Sequence, residues 1–206
     1  MRAEVVAALE GMLRAPTAGR REVEVRLGRL VDGKYAPGLE VEEFERVLAR
    51  LRSFRGWSAH AVGFTRCVHF GDVVVDVDSD AAQRKQRNRS AVYAVDGTAY
   101  ALRLSLSTET DAESPVRSRR KCVETAVRAK HRESFEYKGK LRLDCTRSVT
   151  ATVHAATTSA PRCASEVEIE AVGDVAAESM LLKAEDVLEC VAGRRPAGYT
   201  AVPTVD

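Results

Sequence analysis

Two stretches decide how this chain is read: Glu22-Val-Glu24-Val-Arg26-Leu-Gly28-Arg29 near one end and Ser165-Glu166-Val-Glu168-Ile-Glu170-Ala171 near the other. In each, charged residues alternate with apolar ones. A β-strand sends successive side chains to opposite faces, so Glu22, Glu24 and Arg26 share one face, as do Glu166, Glu168 and Glu170. Residues two apart on a strand sit about 6.5–7 Å from each other. Five carboxylates on two strands repel one another unless water screens them or a cation sits among them.

Working outward from these strands, the chain separates into helices at its edges and β-structure between. Residues 2–14 carry Val5, Leu9, Met12 and Leu13 on one side, as a short amphipathic helix does, and Pro16 and Gly19 end it. Asp32-Gly33 is a turn signal after the first acidic strand, expected at about 21–31. A second helix is expected over about 40–53, where Val41, Phe44, Val47, Leu48 and Leu51 keep the 3.6-residue period. Candidate strands follow at 60–70, 72–78, 83–95, 98–109, 122–137, 140–153 and 163–172. Gly71-Asp72, Asp96-Gly97 and Lys138-Gly139 separate several of them, the last two as hairpins. A final helix is expected over about 174–193, capped by Asp174 and stopped by Gly193, with an irregular tail from Pro196.

About eight strands in up-and-down order, flanked by about three helices, predict an α+β chain that is mainly antiparallel β and closed into an eight-stranded barrel. Closure would bring Glu22 and Glu166 near each other. No internal repeat or dividing linker interrupts residues 1–206, so one domain is expected.

Of the 206 residues, 45% are hydrophobic and 30% charged, with a net charge of +2. That balance imposes no nucleic-acid partner, so any electrostatic signal is local. No run of 18 apolar residues suggests a membrane span, and residues 1–10 lack the apolar run of a secretory signal. The cysteines at 67, 122, 145, 163 and 190 are odd in number and lack a CxxC spacing. They read as free thiols of a reducing compartment.

Several strands have one charged and one apolar face. Leu102, Leu104 and Leu106 oppose Arg103, Ser105, Ser107 and Glu109. Leu141, Leu143 and Cys145 oppose Arg142, Asp144 and Thr146. Arg128, Lys130, Arg132 and Ser134 share a face. A solvated outer face of an antiparallel sheet explains such alternation. The alternative is a sheet turned inside out, with helices covering apolar residues outside and charges in the lumen. The clustering of glutamates on some strands and basic residues on others favours the second arrangement. A carboxylate cluster without histidine or thiol partners suits a hard cation, Mg²⁺ or Mn²⁺. Arginine and lysine facing it suit phosphate. Metal and cations around a phosphate serve phosphoryl transfer or hydrolysis.

With these residues in hand, the chain resembles the triphosphate tunnel metalloenzymes, and within them the metal-dependent RNA 5′-triphosphatases of fungal, protozoan and large-DNA-virus mRNA capping. Arg128-Ala-Lys130-His-Arg132-Glu-Ser134 is similar to that family's RxKxRxS strand, and Arg142-Leu-Asp144-Cys-Thr146 to its RxDxT strand. Glu166-Val-Glu168-Ile-Glu170 resembles its late ExExE strand, Glu22-Val-Glu24 its opening pair, and Glu109 its mid-chain glutamate. The resemblance spans about residues 20–173. Two features depart from it. Arg26 stands where the superfamily often has lysine. The strand before the Arg84–Arg89 run lacks the family's arginine, which leaves Arg66, Arg84 or Lys85 for that role.

The resemblance implies Glu22, Glu24 and Glu170 as ligands of Mg²⁺ or Mn²⁺, with Glu168 and Glu109 holding or activating the attacking water. Lys130 and Arg132 would contact the γ-phosphate. Arg103 joins them from its place on the face of Glu109. Arg128, Arg142, Asp144 and Glu166 would support substrate binding through ion pairs. The implied activity is removal of the γ-phosphate from 5′-triphosphate RNA in the nucleus, with a guanylyltransferase as the implied partner. A tunnel enzyme acting on tripolyphosphate or a small triphosphate is the enzymatic alternative, and a non-catalytic RNA- or protein-binding barrel the other. The Arg84–Arg89 run is expected to guide RNA to a tunnel mouth or to be a solvated strand end. Phe54 and Trp57 are expected to pack the second helix onto the barrel.

Overall fold

The structure, a computed structural model, describes residues 1–114, 126–154, 157–158 and 160–203. Its elements are α1 (Arg2–Arg14), β1 (Arg20–Val31), β2 (Lys34–Pro37), α2 (Val41–Ser53), β3 (Ala59–Phe70), β4 (Val73–Asp76), β5 (Ala82–Val95), β6 (Tyr100–Asp111), β7 (Ala126–Tyr137), β8 (Leu141–His154), β9 (Thr157–Thr158), β10 (Arg162–Ala171), α3 (Ala177–Ala192) and β11 (Tyr199–Val202). Eight antiparallel strands close into a ring in the order β1, β6, β5, β4, β3, β7, β8, β10 and back to β1.

The barrel is therefore the one expected, but its strands do not follow one another around the ring. β1 lies between β6 and β10, so the chain leaves the wall after β1 and returns at β3 on the far side. The connection runs through β2 and α2. Turn chemistry is legible in the hairpins. Asp32 and Gly33 (φ 51° and 74°), like Lys138 and Gly139 (φ 54° and 62°), are both left-handed, as a two-residue turn matching strand twist requires.

Other boundaries differ from the expected ones. β4 spans only Val73–Asp76, because the Asp76 carboxylate accepts the backbone N–H groups of Asp78 (3.1 Å) and Ser79 (2.8 Å) and bends the chain into a turn. α3 starts at Ala177 with no side-chain cap, so Asp174 is not its N-cap. The tail is not irregular throughout: β11 pairs with β5 at Val92–Val95. Of the expected strand 122–137, residues 122–125 and Cys122 lie outside the described residues. The four described cysteines are free.

The hydrophobic core lies outside the barrel. Val23, Val25 and Leu27 of β1, Leu102, Leu104 and Leu106 of β6, Leu141 and Leu143 of β8, and Val167 and Ile169 of β10 are buried beneath the helices. Val5, Leu9 and Met12 of α1, Phe44, Val47 and Leu48 of α2, and Met180, Leu181 and Leu188 of α3 meet them. Each large side chain so buried contributes about 1.5–3 kcal/mol. A capping box starts α2, with the Glu40 N–H donating to Glu43 at 3.0 Å. Glu43 also accepts from Tyr100 of β6 (2.5 Å) and Arg29 of β1 (3.0 Å), which fixes the helix across two strands. Beyond its last turn, Trp57 donates to the Leu51 carbonyl at 2.7 Å and packs on Phe54 and Phe135 with ring centroids 5.0 and 5.4 Å away. These aromatic residues fasten α2 to the barrel, as expected. Among the described residues no helix is long and apolar enough to cross a membrane.

Candidate active site in the barrel lumen

With the apolar side of each strand turned to the helices, alternation sends the charged side inward. The lumen holds a cavity of about 500 Å³. β1 contributes Arg20, Glu22, Glu24 and Arg26; β10 contributes Glu166, Glu168 and Glu170. Beside β10 the wall continues with β8, which contributes Arg142 and Thr146, and then β7, which contributes Arg128, Lys130 and Arg132. β5 and β6 complete the wall with Lys85, Arg87 and Glu109. Closure makes Glu24 and Glu170 direct partners across β1 and β10, and Arg26 the partner of Glu168.

Ion pairs set the state of each group. Glu22 pairs with Lys85, Glu24 with Arg26 (3.1 Å), and Glu170 with Arg142. Burial nevertheless raises the Glu24 carboxyl above its ordinary value despite Arg26, and nearby Glu168 adds to the effect. Burial likewise pushes Glu170 up to about 7, against the pull of Arg142 and with Glu22 adding repulsion. Glu168 behaves oppositely. Burial works to raise it, but Arg26, Arg132 and Lys130 together hold it below the ordinary carboxylate value, so it is ionised. Arg26 is the mirror case: burial opposes its charge, yet Glu168, Glu24 and Glu166 raise its affinity for the proton.

The cations are not all neutralised. Among the described residues, Lys130 and Arg87 make no hydrogen bond or ion pair, and the Lys130 ammonium is destabilised first by burial and then by Arg128 and Arg132. Burying an unpaired cation costs several kcal/mol unless an anion joins it. The lumen thus holds a ready place for phosphate.

Asp144 shares the inner face of β8 with Arg142 and Thr146. It is 2% exposed, accepts from Ser134 at 2.7 Å and Arg142 at 3.1 Å, and pairs with Arg132 at 3.0 Å. It therefore holds two lumen arginines in place. Arg128 is held by Ser148 (2.9 Å) and Glu166. Arg103 differs from expectation: it does not line the cavity but lies under the Tyr35 ring, 5.0 Å from its centroid, opposite Arg26 across β1 and β6.

The Arg84–Arg89 run divides between two faces. Arg84 pairs with Asp72 outside (2.8 Å), while Lys85 and Arg87 enter the lumen. Arg66 pairs with exposed Asp78 at 2.6 Å. Of the three candidates for the additional tunnel cation, Lys85 is the one in the lumen. Sequence reading missed Arg20, Arg87 and His69 as lumen residues, although the period-2 pattern through Gln83, Lys85 and Arg87 marks one face.

Glu22, Glu24 and Glu170 fit a hard divalent cation by type and placement: they are oxygen donors on adjacent strands, facing one cavity, with like charges directly opposed. Their carboxylates are turned toward Lys85, Arg26 and Arg142, and among the described residues no three acidic, imidazole or thiol groups converge on one coordination point. Binding would exchange those ion pairs for metal contacts.

No family model and no curated protein sequence matches the chain. Solved structures do. The Schizosaccharomyces pombe RNA triphosphatase Pct1 in complex with the Spt5 CTD superposes with a TM-score of 0.64 at 14% identity, over 95% of this chain and 94% of that one. The RNA triphosphatase domain of a trifunctional mimivirus mRNA capping enzyme gives 0.58 at 14% identity, over 93% and 99%. The chain has the tunnel fold of these RNA triphosphatases.

Proposed function

We propose that this chain is a metal-dependent RNA 5′-triphosphatase, removing the γ-phosphate of triphosphate-ended RNA to leave a 5′-diphosphate. One observation carries the reading: among the described residues, a closed barrel encloses eight cations and six carboxylates around a cavity of about 500 Å³, and Lys130 and Arg87 make no hydrogen bond or ion pair. The fold shared with Pct1 and the mimivirus domain supports it.

Glu22, Glu24 and Glu170 would hold Mg²⁺ or Mn²⁺, which would neutralise charge on the phosphate oxygens. Lys130 and Arg132 bind the γ-phosphate, with Arg87 and Lys85 adding positive charge from the opposite wall. Glu168, ionised between Arg26 and Arg132, and Glu109 orient the attacking water and accept its proton. Arg128, Arg142, Glu166 and Asp144 keep the cations aimed. As charge grows on the leaving oxygens, these fixed cations stabilise it without reorganising. The same reading places the protein in the nucleus beside a guanylyltransferase.

Phosphate release with Mg²⁺ or Mn²⁺ tests it, comparing triphosphate-ended RNA with ATP and inorganic tripolyphosphate. RNA preferred supports the reading. Indifference to RNA with cleavage of tripolyphosphate selects the small-substrate alternative, and inertness toward all three leaves a binding barrel.

A further inference from the structure

The inner face of β6 holds a buried donor that the groups assigned to catalysis do not use. Leu102, Leu104 and Leu106 lie beneath the helices, so alternation turns Arg103, Ser105, Ser107 and Glu109 inward. Arg103 is covered by Tyr35, and Glu109 lines the cavity. The two serines between them are enclosed by the wall, Ser105 with 0% and Ser107 with 2% of its surface exposed. Register sets each beside one acidic residue of β1: Ser107 is the direct partner of Glu22, and Ser105 of Glu24.

Small side chains at these positions leave room for the two glutamates, but alanine would leave as much. A hydroxyl differs from a methyl in that, once buried, it destabilises the fold unless it is hydrogen-bonded. Among the described residues, the Ser105 Oγ is buried without any hydrogen-bond partner. Its cross-strand neighbours are Glu24 of β1 and Ser90 of β5. Of these only Glu24 ends in a carboxylate, an acceptor-only group when ionised and the stronger match for an O–H donor. The Glu24 carboxylate is instead drawn along its own strand to Arg26, 3.1 Å away. While that pair holds, the donor on β6 goes unused. Directly opposed residues have Cβ atoms about 4.5–5.5 Å apart, within reach of a serine–glutamate hydrogen bond once the carboxylate swings off Arg26.

We infer that Ser105 is a positioning residue for Glu24: its hydroxyl donates to the Glu24 carboxylate and holds it in the orientation it takes when it leaves Arg26 for a divalent cation. This rests on the metal-dependent reading of the site. Ser105 touches neither phosphate nor the reacting atoms. It acts on Glu24 as Asp144 acts on Arg132 and Arg142, by fixing a group that faces the lumen. The exchange also balances the polar groups of the wall. Glu24 gives up one charged partner on β1 and gains a neutral donor on β6, leaving Arg26 to Glu168 and Glu166. Partners of this kind orient a metal ligand, and their loss weakens metal binding even though they never contact the ion.

The test is calorimetric titration of the parent chain, Ser105→Ala and Ser105→Thr with Mn²⁺ in the absence of substrate, beside urea unfolding of the same three proteins without metal. Ser105→Ala is expected to weaken Mn²⁺ binding by about 10–100-fold. Its metal-free urea midpoint should equal or exceed the parent's, because the substitution removes a hydroxyl that is buried without a partner. Ser105→Thr keeps the hydroxyl and should bind Mn²⁺ nearly as tightly as the parent. Unchanged Mn²⁺ affinity in Ser105→Ala, or an equal loss in Ser105→Thr, overturns the inference and leaves the metal reading standing. A parent chain that binds no Mn²⁺ refutes the metal reading itself, and the inference with it.

Discussion

Glu24 of β1 and Glu170 of β10 are direct cross-strand partners on the inner face of the barrel, and burial raises the carboxyl pKa of both. Two like charges so placed strain the closure of the ring at the seam where its first and last long strands meet. Arg26 and Arg142 offset the strain only in part. A divalent cation would relieve it.

Metal should therefore stabilise the fold as well as enable catalysis. Millimolar Mg²⁺ or Mn²⁺ is expected to raise the Tm of the parent chain by a few degrees. Glu170→Gln should abolish that rise, lower phosphate release by about 10²–10³-fold, and leave the metal-free Tm equal to or above the parent's. A metal-free Tm well below the parent's would refute the strain argument.

Lys130 separates catalysis from stability. It is half-buried and unpartnered among the described residues, so Lys130→Met removes an uncompensated charge while keeping the aliphatic length. Phosphate release should fall about 10²–10³-fold, with stability in urea unchanged or improved. Loss of both would show that Lys130 is a structural cation.

Asp144 should behave in the opposite way. It holds Arg132 and Arg142 and accepts from Ser134, so Asp144→Ala leaves two half-buried guanidinium groups with only Glu168 and Glu170 to hold them. Breaking a buried pair costs about 3–5 kcal/mol. Urea unfolding at pH 7 should register a loss of that size, with activity falling alongside; an unchanged midpoint would deny the anchoring role.

A pH signature comes from outside the lumen. Arg52 of α2 donates to Glu133 of β7 through Nε at 2.8 Å and Nη2 at 2.6 Å, with His60 on the same carboxylate at 2.8 Å. The Arg52 hydrogen bonds, and then His60, lower the Glu133 carboxyl below its ordinary value. A depressed carboxyl contributes stability above its unfolded pKa and loses it as pH falls through the folded one. Glu133→Gln should cost about 1–3 kcal/mol at pH 7, and the gap should shrink as pH is taken below about 4. A gap independent of pH would assign the effect to shape rather than charge.

Much of this site was legible from alternation alone. Once Leu102, Leu104 and Leu106 are outward, Arg103, Ser105 and Ser107 must be inward, and the same parity placed Glu22, Glu168, Lys130 and Arg142 correctly. What parity cannot supply is neighbourhood. Glu24 meets Glu170 through pairing of strands more than a hundred residues apart, and nothing local encodes that β3, not β2, lies across the ring from β1. The Arg84–Arg89 run was harder still. A bulge between Arg87 and Arg89 interrupts the pairing with β6, and Asn88 turns to donate to Thr108 at 2.6 Å. One extra residue reverses which side chains face in, so basic residues there cannot be sorted by counting. Arg103 was assigned to substrate on parity that was right, but the ring of Tyr35, brought by the short β2, covers it.

The outward placement of the apolar core has a consequence for how this protein tolerates change. The leucines, valines and helices that keep the barrel shut share almost no side chain with the lumen that would do the chemistry. The coat can be repacked with any well-fitting apolar set while the lining stays fixed, and the lining can be altered without reopening the coat. A scaffold divided in this way allows a lumen to be re-equipped for another polyphosphate while its exterior goes on holding the barrel closed.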